Sequence, residues 1–139
     1  GDKIAVEAAI NTAKEIGIRR ALPLRVSGAF HSPLMRPARE PLLEIINSVN
    51  FRDAKIPVYQ NVLAEPVTDN NILRENILKQ LENPVLWSDI ILNMKKEGIS
   101  NFFEVGPGKV LKGLNKHIFP ESTTIICDKL EHLDACEVL

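Results

Sequence analysis

The stretch from Asn101 to Cys127 changes its hydrophobic period twice, and that change limits the folds open to the whole chain. Asn101 to Val105 is a short run of aromatic and branched residues that reads as a strand. Gly106-Pro107-Gly108 turns the chain, and Val110, Leu111, Leu114 and Ile118 then recur at the spacing of one helical face. Thr123 to Cys127 is a second strand-like run. Strands alternating with helices of this length predict a parallel or mixed sheet with helices on its faces, the α/β class.

The rest of the chain follows the same alternation. Ala5, Ala8, Ala9, Ala13 and Ile16 mark a helix over Lys3 to Ile16, closed by Gly17. Leu22 to Val26 suits a strand leading into the loop Gly28 to Ser32, although Pro23 would confine it to an edge or a strand start. Leu42, Ile45, Ile46 and Val49 form a helical stripe. Pro33 fits the first turn after a Ser32 cap, and Pro41 predicts a kink by removing an internal hydrogen bond. Pro57 to Leu63 reads as a buried strand. Asp69 caps a helix whose face carries Leu73, Ile77 and Leu81, with Gln80 in its last turn. Asn83-Pro84 is a further cap signal, before a stripe of Trp87, Ile90, Ile91 and Met94 that ends at Lys95, Lys96 and Gly98.

Composition excludes several classes of function. The 139 residues can form a real core, since a compact chain of this length buries roughly 68 to 70% of its unfolded surface. Lys and Arg number 17 against 18 for Asp and Glu, with no block of either sign, which speaks against a nucleic-acid partner. Every apolar stretch is broken well before the roughly 20 residues that a membrane span needs. With two cysteines, Cys127 and Cys136, and no apolar signal core at the start, a reducing cytosol is the default location. A first residue other than Met, with a helix already running by Ile4, predicts that the chain was cut from something longer.

Three constellations could carry chemistry. Gly106-Pro107-Gly108-Lys109 follows a strand and opens a helix, as phosphate-binding turns do, but Val110 and Phe103 stand where a P-loop needs Ser or Thr and Gly. The dinucleotide fingerprint fails at Leu111. These glycines are expected to serve a tight turn and close packing, with a lining role in a site as the lesser reading. Cys127, Cys136, His117 and His132 lack the short spacing of structural zinc ligands, so no metal is expected. His31 sits in Gly28-Ala29-Phe30-His31-Ser32-Pro33, on a loop leaving a strand end, where ligand sites of α/β sheets gather. By position alone, a packed or solvent-facing histidine is a better account of it than a catalytic one. None of the serines lies in a Gly-x-Ser-x-Gly elbow.

Three segments, in order, resemble those of the malonyl-CoA:acyl-carrier-protein transacylases and the related acyltransferase domains of fatty-acid and polyketide synthases. Val26-Ser27-Gly28-Ala29-Phe30-His31-Ser32-Pro33-Leu34-Met35 resembles the family's catalytic-histidine segment. Gln80-Leu81-Glu82-Asn83-Pro84-Val85-Leu86-Trp87 resembles its Gln-Leu-x-x-Pro-Val-x-Trp segment, and Phe103 to Leu111 its Glu-x-Gly-Pro-Gly-x-x-Leu turn. The resemblance runs from the first helix to about Ile118. It implies the carboxy-terminal part of such an enzyme: 1–27 as the end of a ferredoxin-like small subdomain, and 28–139 as the later half of an α/β-hydrolase-like large subdomain.

The resemblance further implies two-step malonyl transfer from malonyl-CoA to the phosphopantetheine thiol of acyl carrier protein, through a serine ester and without a cofactor. His31 would be the catalytic base, and the backbone carbonyl of Gln80 would orient it. Phe30, just before the histidine, would select malonyl over methylmalonyl groups, while Gly106, Pro107 and Gly108 keep the lining of the site as their lesser reading. The nucleophilic serine and a carboxylate-binding arginine would belong to the amino-terminal half of the same enzyme, so this chain alone is expected to be inactive. Two alternatives remain: an acyltransferase fragment of a polyketide synthase, and a non-catalytic α/β binding module. A serine elbow upstream of Gly1 separates enzyme from module.

Overall fold

The computed structural model describes residues 1–23 and 26–132, and of Leu130 the backbone alone. The chain divides into two compact units, Gly1–Pro57 with Val67–Val85, and Val58–Pro66 with Leu86–Leu139.

The first unit is helical where it is ordered into elements. Its first helix, α1 (Lys3–Glu15), starts because the Asp2 carboxylate accepts hydrogen bonds from the Ile4 and Ala5 amides, and it ends before Gly17 at φ +88°. The alanine stripe does not become a core face, since α1 has no buried residue. The expected strand over Leu22 to Val26 crosses residues 24–25, outside the described residues. Pro33–Ala38 forms a 3-10 helix that leads into α2 (Arg39–Ser48). Pro41 therefore falls in the first turn of α2, where its missing amide had no helical partner to lose, and the expected kink is replaced by the 3-10 to α junction at Ala38. Ser32 precedes the 3-10 helix but makes no side-chain cap; its hydroxyl donates to the Ala29 carbonyl at 2.6 Å.

Helix α3 (Asn70–Lys79) is capped by Asp69, whose carboxylate accepts from the Asn71 and Ile72 amides. It packs on α2, with Ile46 and Leu73 buried and a guanidinium bond from Arg74 to the Asn47 side-chain carbonyl. Asp53 reinforces the start of α3 by accepting from the Asn70 amide (3.0 Å) and side chain (2.7 Å), and these bonds hold its carboxyl below the usual range. Asn83 does not start the next helix: its side chain donates back to the Lys79 carbonyl at 2.7 Å and closes α3.

The chain enters the second unit at β1 (Val58–Tyr59) and leaves it in β2 (Pro66–Val67). The buried strand expected over Pro57 to Leu63 is thus only two residues long, because the Gln60 carbonyl accepts from both Leu63 and Ala64 and turns the chain. Helix α4 (Trp87–Lys96) buries Ile90 and Ile91 completely or nearly so. Strands β3 (Asn101–Val105) and β4 (Thr123–Cys127) pair in parallel in the register Phe103 to Ile125, with α5 (Val110–Ile118) as the crossover. This β-α-β arrangement is the α/β architecture that the change of period predicts.

The inward face of α5 differs from expectation. Val110, Leu111 and Leu114 are exposed, whereas Asn115 is buried at 2% exposure. The Asn115 side chain accepts from the Trp87 indole N–H at 3.0 Å and donates to the Thr124 hydroxyl at 3.2 Å, tying α4, α5 and β4 together. A buried amide with both its ends satisfied replaces the apolar contacts that the stripe suggested.

Candidate active site

The chain segment around His31 is held by the end of α3. His31 has φ +61°, a left-handed conformation that a residue bearing a Cβ adopts at a cost of about 1 to 3 kcal/mol, and which gathers at functional sites. Its conformation is stabilised from two directions. The His31 amide donates to the Leu81 carbonyl at 3.1 Å, and the ring Nδ1 lies 2.9 Å from the Gln80 carbonyl oxygen. A carbonyl only accepts, so Nδ1 carries the proton when the ring is neutral, and Nε2 is left with its lone pair. His31 is exposed, which leaves that nitrogen reachable.

Gly28 makes room for the aromatic ring two residues on. A Cβ there would meet the Phe30 ring at 3.0 Å, so glycine lets the ring lie against the backbone of its own loop. Phe30 is 55% exposed beside His31 in the sequence. Beyond the loop, Arg36 and Arg39 both reach Glu82, at 3.2 Å to one carboxylate oxygen and 3.3 Å to the other. The Arg36 hydrogen bond is the main cause that holds the Glu82 carboxyl below its ordinary range, against the opposing effect of its own burial. Sequence reasoning did not find this pair of arginines or the Leu81 carbonyl. Arg36 and Arg39 are three apart on one helical face, a usable signal, but nothing in the sequence names an acid more than forty residues away as their partner.

The other glycine turn belongs to the second unit. Gly106 and Gly108 have φ of +124° and +107°, and nothing lies within 4 Å of where a Cβ would stand on either. Glycine is thus required by the backbone conformation and not by close packing. Two of the amides that open α5 are already occupied: the Glu104 carboxylate accepts from Leu111 at 3.0 Å and from Lys112 at 2.8 Å. An internal anion fills the place that a phosphate would take.

The remaining candidates do not assemble. His117 bonds the Gly113 carbonyl of its own helix at 2.7 Å, and Cys127 with His132 lies at the end of β4, while Cys136 falls outside the described residues. A depression of about 710 Å³ against α4 is lined by none of His31, Gln80, Phe30, Gly106, Pro107 and Gly108. The geometry therefore brings His31 and Gln80 together, with Phe30 on the same loop, and leaves one imidazole nitrogen open for proton transfer. No helix among the described residues is long and apolar enough to cross a membrane.

No family model matches the chain. It is 41% identical over 134 residues to the malonyl CoA-acyl carrier protein transacylase of Bacillus subtilis, a match covering 96% of this chain and 42% of that protein. In fold it superimposes with a TM-score of 0.88 and 36% identity on the acyl-carrier-protein S-malonyltransferase of Burkholderia pseudomallei, covering 99% of this chain and 45% of the other. A TM-score of 0.88 at 34% identity, with 99% and 45% coverage, relates it to a malonyl-transacylase solved in complex with its type II polyketide acyl-carrier protein. The chain spans less than half the length of each of these proteins. Over the part that it spans, this α/β chain is similar in sequence and in fold to the malonyl CoA-acyl carrier protein transacylases.

Proposed function

We propose that this chain forms the carboxy-terminal part of a malonyl-CoA:acyl-carrier-protein transacylase of fatty-acid biosynthesis and supplies its catalytic histidine. In this reading, 1–27 close a ferredoxin-like small subdomain and 28–139 complete an α/β-hydrolase-like large one, in a cytoplasmic enzyme that uses no cofactor. The observation that carries the proposal is the 2.9 Å contact of His31 Nδ1 with the Gln80 carbonyl, on a strained loop residue whose Nε2 stays open.

The chemistry follows from that nitrogen. A serine from the amino-terminal half attacks the malonyl-CoA thioester while His31 Nε2 takes its proton, and the proton passes to the departing CoA sulfur. Malonate remains as a serine ester. The phosphopantetheine thiol of acyl carrier protein then gives its proton to the same nitrogen and attacks the ester, and the proton returns to the serine oxygen. Gln80 does the orienting work of a triad acid through a neutral carbonyl, which fixes the tautomer without adding charge. Phe30 narrows the acyl pocket against a branched α-carbon.

Intact mass after exposure to malonyl-CoA tests the reading. The full-length protein is expected to gain one malonyl group, to lose it to acyl carrier protein, and to carry it on a serine absent from these 139 residues. This chain alone is expected to gain none. A malonyl ester formed on this chain alone, with turnover to carrier protein, would contradict the proposal.

A further inference from the structure

We infer that Glu82 is a positioning residue for His31, acting through the two arginines that follow it; the inference rests on His31 being the catalytic base. Three consecutive residues at the end of α3 receive the bonds of the histidine segment. Gln80 accepts from the imidazole, Leu81 from the His31 amide, and Glu82 from Arg36 and Arg39.

The first two bonds both end on residue 31, so by themselves they leave the segment free to pivot about one point. The Glu82 bonds add a second point of attachment further along. Arg36 takes Oε2 and Arg39 takes Oε1, so one carboxylate holds the 3-10 helix and the first residue of α2 together. The Glu82 side chain is 11% exposed, while those of Arg36 and Arg39 are 74% and 46% exposed. The acid is therefore the fixed end, and the arginines reach to it from the surface. Lys79 does not compete for it, because its ammonium pairs with Glu75 at 2.8 Å. Because His31 sits in a left-handed conformation that its backbone does not favour, a loop freed from this second attachment exchanges the Gln80 carbonyl for water.

The decisive readout is the tautomer of His31, from long-range ¹H–¹⁵N imidazole spectra of the full-length protein labelled at histidine, recorded beside malonyl-transfer kinetics. Glu82→Ala is expected to lower the Nδ1–H fraction and to reduce kcat by about tenfold to a hundredfold with little change in KM. Glu82→Asp is expected to restore part of both. The double variant Arg36→Gln with Arg39→Gln breaks the same link from exposed side chains and is expected to move both readouts in the same direction. A tautomer ratio that stays at its wild-type value in Glu82→Ala and in the arginine variant overturns the inference, whether or not activity falls. If His31→Ala leaves transfer intact, the catalytic assignment fails, and the tautomer ratio alone then decides the positioning role, moved in its favour and unmoved against it.

Discussion

The chain has two glycine-bearing turns that look like sites, and they dispose of their polar groups in opposite ways. In the loop Gly28 to Ser32, every bond serves to fix one side chain: the His31 amide, its Nδ1 and the Ser32 hydroxyl are all engaged, and Nε2 is left over. In the turn Gly106 to Gly108, the Gly106 amide donates to the Cys127 carbonyl, and the Leu111 and Lys112 amides of the helix that follows are taken by Glu104. A glycine turn before a helix is a ligand site only if its amides remain open, and the acid two residues before the first glycine decides that here. Changes in the second turn and its helix should accordingly reduce stability, and changes in the first should alter chemistry.

The largest stability effect is expected at Asn115. Asn115→Leu leaves the Trp87 indole N–H and the Thr124 hydroxyl without their partner, at about 1 to 3 kcal/mol for each group that stays buried and unsatisfied. Denaturant unfolding followed by the fluorescence of Trp87 measures it, and a change below half a kcal/mol would mean that water replaces the amide.

Phe30→Ser sharpens the other side of the comparison. One methyl group is discriminated by about 1 to 3 kcal/mol, or roughly 10 to 200-fold, so the ratio of kcat/KM for methylmalonyl-CoA to that for malonyl-CoA should rise within that range in the full-length protein. The melting temperature should hardly move, since the ring is more than half exposed. A fixed ratio with both rates reduced would make Phe30 a support for the loop and not a selector.

Glu104→Ala should destabilise by about 1 to 2 kcal/mol, as the loss of a helix cap does, and added phosphate or sulfate should recover part of the loss by entering the vacated place. No anion effect beyond that on the wild type would show that the amides close on themselves.

The smallest effect expected is that of pH on Glu82. Its carboxyl titrates below its ordinary value when folded, so the stabilisation is present above the ordinary glutamate range and is lost as pH falls through that range toward the depressed value. The difference in melting temperature between wild type and Glu82→Gln should therefore exist near neutrality and shrink on acidification. A difference that grows as pH falls would reverse the sign and remove the arginine contacts as its cause.

How much of this was legible in the sequence depends on the range of the interaction. The helices at Lys3, Asp69 and Trp87, the pair β3 and β4, and the crossover between them follow local periods and caps, and they stand close to where those signals put them. Pro41 misled because a proline's effect depends on which turn it occupies, and the start of α2 is set by the 3-10 helix before it. The stripe on α5 misled because a buried polar residue, Asn115, has no periodic signature of its own. His31 and Gln80 were named together only through the resemblance. Their bond, like that of Glu82 to its arginines, spans more than forty residues of sequence, and no local pattern encodes it.

The central claim is that His31 moves the proton while contributing little to the fold. The most direct measurement is the rate of malonyl transfer to acyl carrier protein by the full-length protein with His31→Ala, taken together with its melting temperature. A general base is worth typically about 10² to 10⁴ in rate, so the account predicts a loss of that size with melting nearly unchanged, because the side chain is exposed and makes one hydrogen bond. Transfer within a few fold of wild type would contradict it.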